Sequence, residues 1–221
     1  MTKPTRREEE EAAYAEHLTR SQRQWDRWSD WYALSESDFA PMREALINTL
    51  DLTGGDRVLD IGCGPGVNFA PIRSDIGPSG ELIGLDYSPE MVDRANARVE
   101  ANRWDNVRVV RGDATTADLG GPYDAAIATL SLSIMPDVSK VLENVHGALK
   151  PDSYLGVLDI RPIPTGPGRI MNPLIWRFLR WYANWNPDAN VNQALTDTFA
   201  HTEQLETHFL DTIFVSKATR M

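Results

Sequence analysis

The sequence predicts an α/β fold: a doubly wound, mostly parallel seven-stranded sheet with a C-terminal antiparallel hairpin. Two observations carry this. From residue 57 onward, short runs rich in Val, Ile and Leu alternate with helical stretches, and such alternation builds right-handed βαβ units whose parallel sheet is covered on both faces. Near the C-terminus two alternating runs are separated only by Leu210-Asp211, too short a link for anything but a hairpin.

The elements follow in order. Residues 5–32 read as one charged helix in which Tyr14, Leu18, Trp25, Trp28 and Tyr32 recur at steps of 3, 4 and 7, an apolar stripe that must dock on something. A second helix is expected after Ser37 as N-cap, through Phe39, Met42, Ala45, Leu46 and Leu50 to the Gly54-Gly55 stop. Strands are expected over 57–61, 81–85, 107–110, 124–128 and 154–160, with helices near 67–75, 89–103 and 137–149 between them. Alternation then breaks at Pro162, Pro164, Gly166, Pro167 and Gly168, so the aromatic helix over 170–183 is an insertion. A helix over 190–199 leads to the hairpin strands, 204–209 and 212–218. The chain therefore divides into an N-terminal helical lid, 1–52, and a main domain, 53–221, with a helical insertion at about 162–187.

Composition excludes several classes. With 221 residues, 42% hydrophobic and 24% charged, the chain can bury an ordinary core without staples. Its single cysteine, Cys63, cannot close an internal disulfide or supply a multi-thiolate metal site. His17, His146, His201 and His208 lack metal-ligand spacing, so no metal is expected. A net charge of −10 argues against a nucleic-acid partner, which needs uncompensated Lys and Arg. No run of about 18 apolar residues and no apolar N-terminal segment is present, so a cytoplasmic location is expected.

The chemistry lies at the strand ends. Val58-Leu59-Asp60-Ile61-Gly62-Cys63-Gly64-Pro65-Gly66 is a buried strand turning through three glycines into a helix, which lets backbone N–H groups approach a ligand at a strand's carboxyl end. It is not a dinucleotide fingerprint, whose third glycine would fall at Val67, nor a P-loop, which needs Gly-Lys-Ser/Thr. The second strand ends in Leu85-Asp86-Tyr87-Ser88-Pro89, and an acid there can accept both hydroxyls of a ribose. The third ends in Arg111-Gly112-Asp113-Ala114, a further carboxylate at the same sheet edge.

These segments, over about residues 20–160, resemble the class I S-adenosylmethionine-dependent methyltransferases, in particular the small ubiquinone/menaquinone C-methyltransferase-like (methyltransferase type 11) group. The resemblance implies S-adenosylmethionine as cofactor. Its amino acid end falls to the loop Asp60, Gly62, Cys63, Gly64 and Gly66, its ribose to Asp86 with Tyr87 and Met91 beside it, and its adenine to the Asp113 carboxylate and the Ala114 N–H. Tyr123-Asp124 and the strand after it resemble the family's Phe-Asp strand, which places Thr129, Leu130 and Ser131 at the methyl donor. The Trp25–Tyr32 region resembles a helix that closes over the cofactor, with Tyr32 at its tip.

Two departures stand out. Leu149-Lys150-Pro151 is followed by Asp152-Ser153 where the family has two glycines, and Leu130-Ser131-Leu132-Ser133-Ile134-Met135-Pro136 lacks the family's histidine. No general base comes with the resemblance, and Asp137, Asp159 and Tyr182 are the side chains within reach of a pocket mouth. Between Ile160 and Pro187 there are four arginines, Arg161, Arg169, Arg177 and Arg180, and no acid or lysine. At helical pitch Met171, Leu174, Ile175, Phe178, Leu179, Tyr182 and Trp185 share a face, with Arg177, Arg180, Asn184 and Trp176 opposite. The expected acceptor is apolar or lipid-like, a quinone precursor or phospholipid headgroup, met through peripheral membrane contact. The alternatives are a small polar acceptor, a cofactor-binding protein without turnover, and a homodimer contact on the aromatic helix.

Overall fold

A computed structural model describes residues 5–35 and 38–221, without the side chains of 28–35. Two helices, α1 (Arg6–Ser35) and α2 (Ala40–Asn48), precede the alternating part. Then come β1 (Arg57–Ile61), α3 (Phe69–Ile76), β2 (Glu81–Asp86), α4 (Pro89–Asn102), β3 (Val107–Arg111), β4 (Tyr123–Thr129), α5 (Val138–Ala148) and β5 (Leu149–Ile160). The chain ends with α6 (Asn172–Ala183), α7 (Val191–Thr198), β6 (His201–His208) and β7 (Ile213–Thr219). One sheet holds all seven strands in the order β3-β2-β1-β4-β5-β7-β6. The five strands β1 to β5 are parallel, and β7 runs antiparallel to both β5 and β6. This is the fold expected from the sequence.

The unbroken apolar character of the inner strands follows from burial on both faces. In β1, Leu59 and Ile61 join a core with Val141, Leu142 and Val145 of α5 and Leu195 of α7. Val58 faces the other way, into a core with Leu46 and Ile47 of α2 and Phe69, Ile72 and Ile76 of α3. Truncating one such Leu or Ile to Ala costs about 2–5 kcal/mol. The outer strand β6, His-Thr-Glu-Gln-Leu-Glu-Thr-His, is largely polar and charged, as suits an edge.

Three local expectations are corrected. α2 stops at Asn48 instead of running to Gly54, because Thr49 turns its hydroxyl back onto the Leu46 carbonyl and Asp51 is left-handed at φ 53°. Its N-cap is Phe39 without a side-chain bond, and Pro41 opens the helix; the expected cap, Ser37, lies outside the described residues. β5 begins at Leu149, not Tyr154, since Leu149 already pairs with Tyr123 before the register shifts. Asp152 stands where a glycine was expected and adopts φ 60° itself, its N–H held by the Arg220 carbonyl at 2.6 Å; a short acid tolerates that conformation.

Candidate functional site

The parallel strands converge at their carboxyl ends, and the first crossover leaves β1 through Gly62, Gly64 and Gly66, with φ of 64°, 53° and 77°. A Cβ on Gly62 would fall 2.5 Å from the Cβ of Ser131, so the loop lies directly against the end of β4. Gly64 has no heavy atom within 4 Å of such a Cβ and borders an open cleft. The loop is pinned by Cys63 N–H to the Leu85 carbonyl at 3.0 Å and by Ser131 Oγ, which donates to the Ile61 carbonyl at 2.8 Å.

Asp86 ends β2 at the floor of this cleft. One carboxylate oxygen accepts from Gly64 N–H at 2.8 Å and the other from Ser88 N–H at 2.9 Å. Burial raises its pKa above the ordinary range, against the pull of these N–H groups, and the nearby Asp26 carboxylate pushes the same way. Each oxygen keeps a second lone pair. Ser88 caps α4 by accepting from Met91 N–H, and its hydroxyl donates to Asp26 of α1 at 2.8 Å.

Asp60 lies below the loop and is fully buried. Both its oxygens lie 3.2 Å from Asn68 Nδ2, which also reaches Thr129 Oγ1 at 3.0 Å. Burial pushes its pKa up to about 7, with the Asn68 bond opposing and the Asp86 charge assisting. It ties β1 to α3 and β4 and does not border the cleft.

The roof is α1. The cleft opens to solvent and, with that open space, spans about 670 Å³. Leu18, Ser21, Gln22 and Trp25 border it from α1, and Leu130, Ile134, Met135 and Pro136 from the segment after β4. At one end the Tyr14 hydroxyl donates to Asp113 Oδ2 at 2.6 Å, while Asp113 Oδ1 accepts from Thr115 N–H. Burial and the Asp113 carboxylate raise the Tyr14 pKa. At the other side Asn184 Nδ2 donates to Ser21 Oγ at 2.6 Å, and Gln24 Nε2 donates to the Trp181 and Tyr182 carbonyls. Among the described residues before β1, those of α1 border the cleft and α2 is packed into the sheet.

Of the residues singled out from the sequence, Gly62, Gly64, Asp86, Tyr87, Met91, Thr129, Leu130 and Ser131 meet at the cleft, with Leu18 and Trp25 of the N-terminal stripe. Gly66 packs on the Phe69 ring, Cys63 and Ala114 are buried in the two cores, and Asp113 meets Tyr14. The Tyr32 side chain lies outside those described. Asp137 caps α5 at Lys140 N–H, and Tyr182 stacks on Phe178 with centroids 5.6 Å apart. Asp159 is fully buried, and its pKa is pushed up to about 6 by burial against the bonds from Ser133 and Ile160. None of these three borders the cleft. Ser21, Gln22, Ser88, Ile134, Met135 and Pro136 border it without having been singled out; a pattern along the chain carries no sign of which loop residue meets a distant helix.

A family model described as a methyltransferase domain matches residues 52–211. The chain belongs to that family. The resemblance to class I S-adenosylmethionine-dependent methyltransferases read from the strand ends is thereby borne out at the level of the family. The chain is similar to a demethylmenaquinone methyltransferase of Lactobacillus johnsonii, 31% identical over 127 residues, 57% of this chain and 52% of that one. It is also similar to a 2-phytyl-1,4-naphtoquinone methyltransferase of Nostoc sp., 25% identical over 161 residues, 72% of this chain and 66% of that one. Among solved structures, a SAM-dependent methyltransferase from Aquifex aeolicus shares the fold, with a TM-score of 0.62 at 20% identity, covering 81% of this chain and 89% of that one. The chain spans about half the length of the first curated relatives it matches.

Proposed function

We propose that this protein transfers a methyl group from S-adenosylmethionine to an apolar acceptor of the quinone-precursor type, held between α1 and the segment after β4. The observation that carries this is the mixed lining of the cleft: the open Gly64 backbone and the Asp86 carboxylate border it together with the apolar side chains of Leu18, Trp25, Leu130, Ile134, Met135 and Pro136. A nucleoside suits the former and an apolar ring the latter. In this reading Asp86 accepts both ribose hydroxyls, the loop at Gly62 and Gly64 receives the amino acid end, Asp113 and Ala114 receive the adenine, and Thr129 and Leu130 flank the reacting methyl. Residues before β1 act as a lid through α1. The names of the Lactobacillus and Nostoc relatives favour a naphthoquinone-type acceptor over a phospholipid headgroup.

When bound, S-adenosylmethionine would supply an already electrophilic sulfonium methyl, the C–S electron pair remaining on sulfur and the acceptor's proton passing to solvent. The chain's own part is alignment and exclusion of water, which the apolar wall and the α1 roof supply. No histidine or lysine borders the cleft among the described residues, so no side chain there is assigned as a base. Peripheral contact with a membrane, where such acceptors reside, belongs to the same proposal.

The test is transfer of labelled methyl from S-adenosylmethionine to a demethylated naphthoquinone by the purified chain, followed by mass spectrometry of the product. Asp86→Ala removes the acceptor for two hydroxyls, and loss of about 1–3 kcal/mol weakens S-adenosylhomocysteine about five-fold to over a hundred-fold. Label appearing only in a small polar metabolite would overturn the acceptor, and unchanged affinity in Asp86→Ala would overturn the ribose assignment.

A further inference from the structure

The insertion after β5 shows a side that helical spacing alone did not reveal. The single apolar face expected for Met171 to Trp185 is split in the structure: Ile175, Leu179 and Tyr182 are half-buried and Ala183 and Trp185 are buried, but Leu174, Phe178 and Trp181 are 69%, 54% and 63% exposed. With Ile170 and Met171, also exposed, these follow one another at steps of 3 and 4, a continuous stripe along the outer side. Arg177 and Arg180, both exposed, lie along one margin of it at helical pitch. Asn172 fixes the start of the helix by a two-way bond with the Ile163 backbone at 3.0 Å in each direction, so the stripe faces outward on an anchored element.

Two further features are tied by hydrogen bonds to the ends of the insertion. The link from β6 to β7 carries Phe209 and Leu210, 73% and 72% exposed, on consecutive left-handed residues. That link is bonded to Arg161 at the end of β5, where the insertion begins, through Arg161 N–H to the Thr212 carbonyl and Arg161 Nε to the Asp211 carbonyl. The α1 surface holding Arg23 and Arg27, and Arg20 paired with Glu16 at 2.6 Å, also holds Gln24, the residue that donates to the last carbonyls of α6. Arg23 and Arg27 on α1 therefore flank the residue bonded to the C-terminal turn of the apolar stripe.

We propose that this stripe, with the Phe209-Leu210 tip and the arginines of α6 and α1, is a docking surface for an anionic lipid membrane. The charge decides between the two candidate occupants. A stretch with four arginines and no acid, inside a chain of net charge −10, complements a negative headgroup layer, and amphipathic helices with basic margins and an aromatic face sit at that boundary. In a two-fold dimer the same patch meets itself, and no carboxylate on the stripe would answer Arg177 and Arg180. No helix among the described residues is long and apolar enough to cross a membrane, so contact is at the surface. The α1 roof of the cleft is bonded to the C-terminal end of α6 through Gln24 and Ser21, which brings the cleft close to the docked lipid; this part rests on the reading of the acceptor as apolar.

The test is co-sedimentation of the full chain with vesicles of phosphatidylcholine alone and of phosphatidylcholine with about one third phosphatidylglycerol. Partition onto the anionic vesicles is expected to exceed that onto neutral ones by about ten-fold or more and to fall as salt rises. Leu174→Ser with Phe178→Ser should abolish it while melting temperature and S-adenosylhomocysteine affinity stay as in the parent, since both side chains are mostly solvent-exposed. Arg177→Glu with Arg180→Glu should erase the preference for anionic lipid. Failure of the parent chain to sediment with anionic vesicles overturns the proposal, as does sedimentation of the serine variant equal to the parent. A solution dimer that the serine variant dissociates assigns the face to a second copy instead. Because vesicle binding is read without turnover, its failure leaves the acceptor assignment to be judged by the methyl-transfer assay.

Discussion

Gly64→Ala should separate ligand binding from folding. Gly64 sits at φ 53°, and a Cβ there meets nothing within 4 Å, so the folded chain without ligand suffers only the left-handed conformation. That costs roughly 1–2 kcal/mol, which for a chain of this length lowers the melting temperature by about 2–8 °C. The new methyl projects into the cleft beside Asp86, where the proposed cofactor must approach the backbone. Forcing a methyl into an occupied site costs about 1–3 kcal/mol, a loss in affinity of about five-fold to over a hundred-fold. Gly84→Ala is the contrasting variant: its Cβ would stand 2.6 Å from Phe69 Cζ and 2.9 Å from Cys63 Sγ, inside the core and away from the cleft. It should melt earlier than Gly64→Ala, yet its folded fraction should bind as the parent does. Calorimetry with S-adenosylhomocysteine, beside thermal melts of both variants, measures the two effects. A folded Gly64→Ala protein with parental affinity would refute the placement of the cofactor against this loop.

The remaining predictions concern the lid and the buried carboxylates. Tyr14→Phe removes the donor to Asp113 Oδ2; the free protein should melt about 2–4 °C lower, one exposed-side hydrogen bond being worth ~1 kcal/mol. S-adenosylhomocysteine should then bind more tightly, because the adenine amine no longer competes with the hydroxyl, and weaker binding would show that the hydroxyl holds the ligand. Asp60, with its pKa raised to about 7, keeps a proton in the folded chain that the unfolded chain releases near pH ~4. Its contribution to stability is complete below that lower value and is lost as pH rises through about 7. The melting temperature of the parent relative to Asp60→Asn should therefore fall between about pH 4 and 7, with Asp159, raised to about 6, adding a parallel slope common to both proteins. A difference independent of pH would contradict the burial argument.

The order and kind of the elements were legible because they depend on local chemistry. Val58 to Ile61 reads as buried strand from its apolar run, the three glycines mark the turn, and Ser88-Pro89 marks the start of α4; each signal lies within a few residues of its effect. The acids at the ends of β2 and β3 were found the same way, since parallel alternation brings carboxyl ends of strands to one edge. Asp159 and Asp137 were ambiguous in the sequence because an acid at a strand end or before a helix looks alike whether it meets a ligand or satisfies backbone N–H groups. The partners decided it: Ser133 for one and Lys140 for the other.

What the chain alone determined is the doubly wound sheet, the glycine turn and the family of the fold, all set by short-range pattern. Tertiary structure alone decided that α1 lies across the cleft with Tyr14 on Asp113, residues 99 positions apart, and that Ser21 and Asn184 join roof to insertion. It also decided which side of α6 turns outward. A periodic apolar helix specifies that a stripe exists, but where apolar residues cover more than one face, only the neighbours it packs against fix the face that is buried and the face left to solvent.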